Sequence, residues 1–467
     1  MMKHLVTLLI FIAVLSANTL AFATIAARSS ATTRTTATRS AATTRPAATT
    51  RGQLNISTFS GAVGDGVTDD TVRVQKALTH CSDMNLACVI PTGKTYLITG
   101  RLYLWGGGDL IGTDSTSKML IQTGSINYII NIGISSSTPV GDANQLKPAW
   151  FGRIENVTFV AGDTGTGRMI YFWRTNGGTI TRNVFDLPLG KAGYGPTSSG
   201  NDAAVVTGCP ASCTRTNLTM TYNTVTAYGT DVGNEGLALN TFTNTEIAYN
   251  TVTGTGDDPI AVHFSDGINV HDNVVSSTDG RLLFNNVKNS RIVNNQVSRM
   301  ASLANSLWYQ GIGGIYLAYE TTATNGDFAN SNDIISGNTI TYPAGCVETN
   351  GRALYVYGPR TVEVINNTVV MNCGASGFLG MQLLSFDYVG TWTDPDGLDP
   401  VAVGNHTYVR QILVNNNNFS GGSISTGFSL NTMSCAHVPG PVTVTNNRGA
   451  SFSYACTVSS SGNVIVP

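Results

Sequence analysis

Charged residues are scarce in this chain of 467 residues, since Asp, Glu, Lys and Arg together make up only 12% of it. Globular proteins contain about 25%. The 26 basic and 28 acidic residues leave a formal net charge of −2. A protein that binds nucleic acid needs clustered Lys and Arg to meet the phosphates. The composition therefore argues against a nucleic-acid partner, and it leaves few carboxylates for any purpose.

Long apolar runs are missing as well, apart from residues 5–15 near the N-terminus. A membrane-spanning helix needs about 20 such residues, so we expect no membrane span. The basic start at Lys3, the short apolar run and the sequence Ala21-Phe22-Ala23 predict a secretory signal peptide over residues 1–23. The mature protein should therefore be secreted and extracellular.

Residues 24–53 lack the apolar side chains that a core requires. They consist largely of Ser, Thr and Ala, with five Arg residues spaced among them. This composition predicts a disordered linker. We therefore expect three segments: the signal peptide 1–23, the linker 24–53 and a single folded domain over 54–467.

Zinc-ligand spacing is absent from the cysteines, so we expect no structural metal. The eight cysteines instead fall into sequence neighbours, as disulfides of an exported protein do, although eight cysteines allow 105 connectivities. The predicted pairs are Cys81–Cys88, Cys209–Cys213, Cys346–Cys373 and Cys435–Cys456. Sequons that would carry glycans in a source that glycosylates are at Asn55, Asn156, Asn217, Asn366, Asn405 and Asn418.

Helical periodicity is nearly missing, and one short pattern recurs in its place from about residue 180. An apolar residue, two variable residues, Asn, one residue and a second apolar residue follow one another, at spacings as short as 22, 23 and 27 residues. This period with short β-branched runs predicts an all-β solenoid, and without a leucine-rich signature it favours a right-handed parallel β-helix. The repeated residues are Asn183, Asn223, Asn250, Asn273, Asn295, Asn338, Asn367 and Asn417.

Each repeated Asn should stand where a coil turns a corner, because Asn tolerates left-handed backbone and can hydrogen-bond to the neighbouring coil.

One amphipathic helix is predicted near residues 69–79, with an N-cap in Thr68-Asp69-Asp70-Thr71. A short N-terminal capping helix would cover the open end of the solenoid. Asp69 and Asp70 are therefore interpreted as structural rather than catalytic.

A family resemblance appears in two segments near the start of the domain. Residues 64–71 (GDGVTDDT) and 90–96 (IPTGKTY) resemble the opening of the pectate-lyase-like right-handed parallel β-helix superfamily. That superfamily includes polygalacturonases, polysaccharide lyases, epimerases and phage tailspikes. The resemblance implies this fold over residues 54–467 and a polysaccharide as the partner.

Two adjacent carboxylates, Asp257 and Asp258, precede an alternating apolar run. Aligning coils on their apolar strands places Asp258 over Glu235, Asp202 one coil earlier and Arg281 one coil later. Parallel strands lie about 4.8 Å apart, so these acids would form a column. Carboxyl groups in two protonation states are what glycosidic cleavage needs. Ordinary Asx turns or a bound cation are the alternative interpretation.

The spacing is similar to that of polygalacturonase-type glycoside hydrolases, in which an Asp before Gly is followed one coil later by Gly-Asp-Asp. The resemblance implies that Asp258 or Asp257 is the general acid, and that Glu235 and the other Asp orient water. Here Glu235 replaces the family's Asp, and the Gly-His-Gly and Arg-x-Lys motifs of that family are missing. The related α-glucan-cleaving β-helix enzymes, which act on neutral sugars, fit the low charge as well or better.

Several further residues are predicted to bind substrate along the same face. His263 should point outward if Ile260 and Val262 point inward. Tyr355 is placed to stack on a sugar ring. The predicted substrate-binding residues are Asp202, His263, Arg281, Arg352 and Tyr355.

The sequence therefore predicts a secreted, monomeric glycoside hydrolase that needs no cofactor and cleaves a polysaccharide in a groove along the β-helix. Two alternatives stay open. A polysaccharide lyase or epimerase of the same fold would use Ca²⁺ bound by the acidic column. A non-catalytic adhesin or tailspike-like β-helix would use its acids as turns or ion ligands. In the hydrolase interpretation, Asp258→Asn should abolish turnover without lowering the melting temperature, since it relieves like-charge repulsion.

Overall fold

The computed structural model describes the polypeptide from residue 51 onward, with gaps. The predicted signal peptide and nearly all of the predicted linker lie outside the described residues. Gly52–Pro467 form one compact unit. No helix in the described part of the chain is long and apolar enough to cross a bilayer. The described residues are 51–122, 128–135, 147–161, 168–187, 205–206, 215–227, 235–255, 258–277, 281–299, 312–318, 332–344, 351–357, 361–372, 378–385, 390–393, 400–403, 411–419, 424–432, 441–454 and 456–465.

Three long parallel sheets of 14, 14 and 12 strands make up this unit, and successive strands along the chain pass from one sheet to the next. The first sheet contains β1 (Gln53–Asn55), β3 (Ala87–Ile90), β6 (Asp109–Gly112), β9 (Arg153–Glu155), β13 (Thr179–Thr181), β17 (Thr219–Thr221), β20 (Glu246–Ala248), β23 (Asn269–His271), β26 (Arg291–Val293), β29 (Asp333–Ser336), β32 (Thr361–Ile365), β37 (Gln411–Asn415), β40 (Val442–Thr445) and β43 (Ser459–Ser461).

The second sheet follows the first around each coil. It contains β2 (Asp65–Asp69), β4 (Thr95–Ile98), β7 (Lys118–Ile121), β10 (Thr158–Ala161), β14 (Val184–Leu187), β18 (Thr224–Ala227), β21 (Thr251–Thr255), β24 (Val274–Ser277), β27 (Gln296–Arg299), β30 (Thr339–Tyr342), β33 (Thr368–Met371), β38 (Asn418–Phe419), β41 (Arg448–Gly449) and β44 (Val464–Ile465).

The third sheet completes the coil. It contains β5 (Leu102–Leu104), β8 (Tyr128–Ile132), β11 (Arg168–Phe172), β15 (Val205–Val206), β19 (Leu237–Asn240), β22 (Ile260–His263), β25 (Arg281–Asn285), β28 (Ile312–Ala318), β31 (Arg352–Tyr357), β34 (Phe378–Ser385), β39 (Ile424–Thr432) and β42 (Phe452–Tyr454). Two short pairs lie apart, β12 (Thr175–Asn176) with β16 (Arg215–Thr216) and β35 (Gly390–Thr393) with β36 (Pro400–Val403). This topology is that of a parallel β-helix.

The core runs through the interior of the coils and is built from rows of like residues. Ile247, Val270 and Ile292 occupy one register position in successive coils of the first sheet, and all three are fully buried. Each such side chain contributes about 1.5–3 kcal/mol by leaving water. Because parallel strands expose alternate residues on opposite faces, the intervening side chains point outward.

A ladder of buried asparagine side chains runs beside this core, between the first and second sheets. From Asn223 onward, the side-chain Oδ1 of each ladder Asn accepts the backbone N–H of the ladder Asn one coil earlier, at 2.9–3.1 Å. The prediction that the repeated Asn residues stack at one corner is confirmed. The ladder comprises Asn183, Asn223, Asn250, Asn273, Asn295, Asn338, Asn367, Asn417, Asn447 and Asn463, the last two of which the pattern search missed.

The sequence suggested that the ladder Asn itself adopts the left-handed conformation at this corner, but the residue before it does so. The ladder Asn has a negative φ and donates its backbone N–H to the ladder Asn of the next coil. These positive-φ residues are Arg182, Tyr222, Tyr249, Asp272, Asn294, Gly337, Asn366, Asn416, Asn446 and Gly462. Most are Asn, Asp or Gly, the types that adopt this conformation at least cost.

Two helices, α1 (Ile56–Ser60) and α2 (Thr71–Met84), stand at the N-terminal end of the unit. Helix α2 falls in the predicted region, buries Val74 and Leu78, and packs against β5. Asp70 does not cap α2 with its side chain; its carboxylate accepts the N–H groups of Val63 and Gly64, both at 2.8 Å. The function of α2 as a cap of the solenoid stays a prediction.

The predicted disulfide Cys81–Cys88 is confirmed and links α2 to β3. Cys456 is also disulfide-bonded. The other cysteines of the predicted pairs lie outside the described residues.

Because of the ladder, we expect substitution of a ladder Asn to lower the stability of the protein far more than substitution of an exposed Asn at the same corner. Asn273→Ala orphans the buried N–H of Asn250 and the carbonyl of Ile247, which bond its side chain at 2.9 Å each. Because an orphaned buried group costs about 1–3 kcal/mol, we expect the free energy of unfolding in guanidinium to fall by about 2–5 kcal/mol. The exposed, left-handed Asn294 is the matched control: Asn294→Gly should change it by less than about 0.5 kcal/mol. Equal effects of the two substitutions would contradict a stabilising ladder.

Candidate functional site

The predicted acids lie at the entrance to the third sheet, where the register sets them side by side. Leu237 pairs with Ile260, and the N–H of Gly236 donates to the carbonyl of Asp258 at 3.0 Å. Glu235 and Asp258 therefore occupy matching positions in adjacent coils. Both are buried, at 4% and 2% exposure. The sequence alignment of these two coils is confirmed, and Arg281 follows in the next coil as expected.

The alignment of the preceding coil is wrong by one residue. Val205 pairs with Leu237, whereas the sequence alignment placed Ala204 there and so put Asp202 in line with Glu235. Ile170 and Leu237, the neighbours of Val205 on either side, are both core residues, so the core row sets the register rather than the acid. A slip of one residue exchanges the two faces of a strand. Asp202 and Asp257 lie outside the described residues.

Asp258 is ion-paired with Arg281. The Nε of Arg281 donates to Oδ1 of Asp258 at 2.7 Å, Nη2 lies 3.5 Å from Oδ2, and both side chains are 3% exposed. The expectation that the acids of this column are unpaired like charges is therefore wrong for Asp258. An opposite charge at such a distance favours the ionised carboxylate. Breaking a buried pair on one side leaves an uncompensated charge.

A row of cations and tyrosines continues from Arg281 along the outer face of the third sheet. Arg281 lies over the ring of Tyr316 at 5.2 Å, and Tyr316 stacks on Tyr355 with ring centres 5.0 Å apart. Arg352 lies over Tyr355 at 5.0 Å and donates through Nε to Oε1 of Gln382. We call Arg281, Tyr316, Tyr355 and Arg352 the cation–tyrosine row.

A small apolar cluster occupies the same outer face and adjoins Tyr316, which is in register with Leu283. Tyr171, Ala238, Ala261 and Leu283 form it, and none of them is more than 6% exposed. Trp173 packs against it. We call these four residues the outer apolar row. Its two alanines are in register with each other, and Ala261 is in register with Leu283 of the next coil.

His263 ends β22, in register with Asn240 and Asn285. It lies on the outer face, since Ile260 and Val262 belong to the core. The structure therefore gathers Glu235, Asp258, His263, Arg281, Tyr355 and Arg352 on one sheet. Gln382, Tyr171 and Trp173 were not predicted; among them Gln382 is in register with the predicted Tyr355.

The electrostatics of Tyr355 bear on its chemistry. Burial raises the pKa of Tyr355 above its ordinary value, against a smaller opposing effect of the nearby Arg352. The phenol therefore stays protonated at neutral pH and is a poor proton acceptor. Within the described residues, no group of three or more His, Cys, Asp or Glu side chains is arranged to hold a metal ion.

Comparison with solved structures places the chain among parallel β-helix proteins. The A-module of the mannuronan C-5 epimerase AlgE6 from Azotobacter vinelandii shares 15% identity at a TM-score of 0.50, covering 89% of this chain and 99% of that one. The surface protein and adhesin PfbA of Streptococcus pneumoniae shares 13% at 0.50, covering 89% and 100%. A GH87 α-1,3-glucanase catalytic domain in complex with nigerose shares 12% at 0.49, covering 90% and 69%.

At these identities the likeness extends to the fold alone. No protein-family model and no curated protein sequence matches the chain. The parallel β-helix predicted from the sequence is confirmed.

The ion pair reverses the expected effect of Asp258→Asn on stability. The substitution leaves the buried Arg281 without its carboxylate, so the free energy of unfolding should fall by about 3–5 kcal/mol. Asp258→Asn combined with Arg281→Met should recover part of that loss. Asp266→Asn is the control, because its pair with Lys288 spans 3.5 Å with side chains 37% and 28% exposed, and should cost less than about 1 kcal/mol. An unchanged or raised melting temperature for Asp258→Asn would rule out the pair.

Proposed function

We propose that this protein is a secreted polysaccharide-acting enzyme, and specifically a glycoside hydrolase whose substrate lies across the outer face of the third sheet. The observation that carries the proposal is the placement of Glu235 beside Asp258, at the entrance to the strands that carry Ala238 and Ala261 of the outer apolar row. Asp258 is also ion-paired with Arg281 of the cation–tyrosine row. Glycosidic hydrolysis generally uses two carboxyl groups that flank the bound sugar, one as proton donor and one as base or nucleophile.

The ion pair assigns different roles to the two acids. Asp258, held by Arg281 in a fixed orientation, is the ionised carboxylate that accepts a proton from the attacking water. Glu235 is the proton donor to the departing glycosidic oxygen. Water supplies the new oxygen at the sugar carbon, and its proton balances the one that Glu235 gives up. The sequence predicted Asp258 or Asp257 as the general acid and Glu235 as a group that orients water; this proposal exchanges the roles of Asp258 and Glu235. Asp257 stays a predicted third carboxylate.

Substrate positioning follows from the two rows. Tyr316 and Tyr355 repeat at the spacing of the coils, so consecutive sugar units can contact consecutive coils. His263, Arg352 and Gln382 add hydrogen-bonding groups along the same face. Binding over several coils would hold the scissile bond near Glu235.

A lyase or epimerase is the second candidate, and the contact of Arg352 with Tyr355 favours it. Such an enzyme needs a cation to neutralise a uronate and a base to take its proton. Two observations weigh against it. Arg281 is already compensated by Asp258, and burial raises the pKa of Tyr355. A non-catalytic carbohydrate-binding role would use the same face but would not need Glu235.

The hydrolase proposal predicts that Glu235→Gln abolishes cleavage. Neutral and acidic polysaccharides are first screened with the wild-type protein for new reducing ends and for absorbance of unsaturated products. We expect reducing ends without that absorbance. On the substrate found, Glu235→Gln should lower kcat by about 10²–10⁴-fold, because a proton donor is lost.

Glu246→Gln is the control for this experiment. Glu246 is in the first sheet, pairs with His271 at 3.1 Å and lies outside the proposed groove, so its substitution should leave kcat unchanged. Unsaturated products would favour the lyase. Full activity in Glu235→Gln would exclude the proposed proton donor.

A further inference from the structure

Arg215, in the short strand β16, is a buried cation that the proposed mechanism does not use. It is 2% exposed, and its guanidinium lies 5.8 Å from the ring centre of the core residue Phe242. Its Nη1 donates to the carbonyl of Asn240 at 2.7 Å and to the hydroxyl of Thr241. One edge of the guanidinium is therefore fixed to the end of β19.

The opposite edge has no hydrogen-bond partner among the residues that the structure describes. Nε and Nη2 of Arg215 are both buried, and neither bonds to any of these residues. In the part of the chain that the structure describes, no Asp or Glu forms an ion pair with Arg215. Burial lowers the pKa of Arg215 to about 10, so the group remains a cation at neutral pH. A buried charge with two unused donors is costly unless something pairs with it.

The two unused donors form the edge that Arg uses to bind a carboxylate with two parallel hydrogen bonds. The same chain shows this arrangement in Arg281, whose Nε and Nη2 face the two oxygens of Asp258. Arg215 thus has the same pair of donors, Nε and Nη2, as Arg281, but it has no carboxylate opposite them among the described residues.

Arg215 is bonded to the end of β19, a strand of the third sheet. The phenol of Tyr171, the first residue of the outer apolar row, is close enough to raise the pKa of Arg215 slightly against the effect of burial. Asn240, to which Arg215 is bonded, is in register with His263. The guanidinium therefore lies between the core ring of Phe242 and the end of β19, the strand that pairs with the strand of His263.

We propose that the free edge of Arg215 is a binding site for a carboxylate supplied by a ligand, either a carboxylate-bearing sugar unit or a free small carboxylate. As a subsite of the groove this rests on the proposed function, and it replaces the expectation of a wholly neutral sugar with that of an acidic one. Tyr171 would pack against the sugar ring that carries the carboxylate.

The test compares ligands that differ in one group. D-Glucuronate, D-glucose and acetate are titrated into the full-length wild-type protein and into Arg215→Lys by calorimetry. The wild type should bind D-glucuronate saturably and at least about tenfold more tightly than D-glucose. Arg215→Lys keeps the charge but cannot offer two parallel donors, so this preference should fall about tenfold or more. Acetate binding as tight as D-glucuronate binding would identify the free carboxylate as the ligand.

Arg182→Lys, at a 60% exposed side chain paired with Glu155, is the matched control and should bind like the wild type. Equal affinity of the wild type for D-glucuronate and D-glucose overturns the proposal, and so does an undiminished preference in folded Arg215→Lys. If that variant does not fold, the complex of the wild type with D-glucuronate decides, because the carboxylate must lie within hydrogen-bond distance of Nε and Nη2.

These titrations require no turnover. Failure to cleave any polysaccharide would contradict the hydrolase proposal but not the carboxylate site at Arg215. Absence of a preference for D-glucuronate would contradict the carboxylate site but not the hydrolase proposal.

Discussion

The asparagine ladder is the constraint on which the rest of the structure depends. Each ladder side chain from Asn183 to Asn447 is buried and bonds both to the backbone of neighbouring coils and to the next Asn. One coil therefore cannot shift against another without orphaning several polar groups at once. Apolar rows inside the solenoid would tolerate slippage, because one β-branched residue packs much like another. The ladder removes that freedom. A fixed register then determines which outer side chains lie beside each other, and this brings Glu235 against Asp258.

The register of the third sheet brings two opposite charges together at buried positions. The pair Asp258–Arg281 is buried on the outer face, away from the core, where a structural turn would have needed only an uncharged polar residue. The tyrosines beyond it extend the pair into a continuous surface of cations and rings. Arg215 repeats the cationic half of the pair at the corner of the same sheet. These buried charges therefore lie close to one sheet of a solenoid in which charged residues make up only 12% of the chain.

Sequence reasoning succeeded where coils follow one another without insertions. Asn250, Asn273 and Asn295 are separated by 23 and 22 residues, so the same spacing aligned Glu235, Asp258 and Arg281 correctly. It failed for Asp202, because 40 residues separate Asn183 from Asn223 and an insertion of unknown position hides the register. The ion pair, the free edge of Arg215 and the contact of Gln382 with Arg352 depend on side-chain direction. No pattern of residue types in the sequence encodes that direction.

The central claim is that the outer face of the third sheet holds the substrate. It is tested most directly by the crystal structure of Glu235→Gln with an oligosaccharide of the polymer that the wild type cleaves. The account predicts sugar rings along the outer apolar row and the cation–tyrosine row, with a glycosidic oxygen within hydrogen-bond distance of residue 235. An oligosaccharide bound instead at the opposite corner, for example beside the exposed stack of Tyr222 and Tyr249, would contradict it.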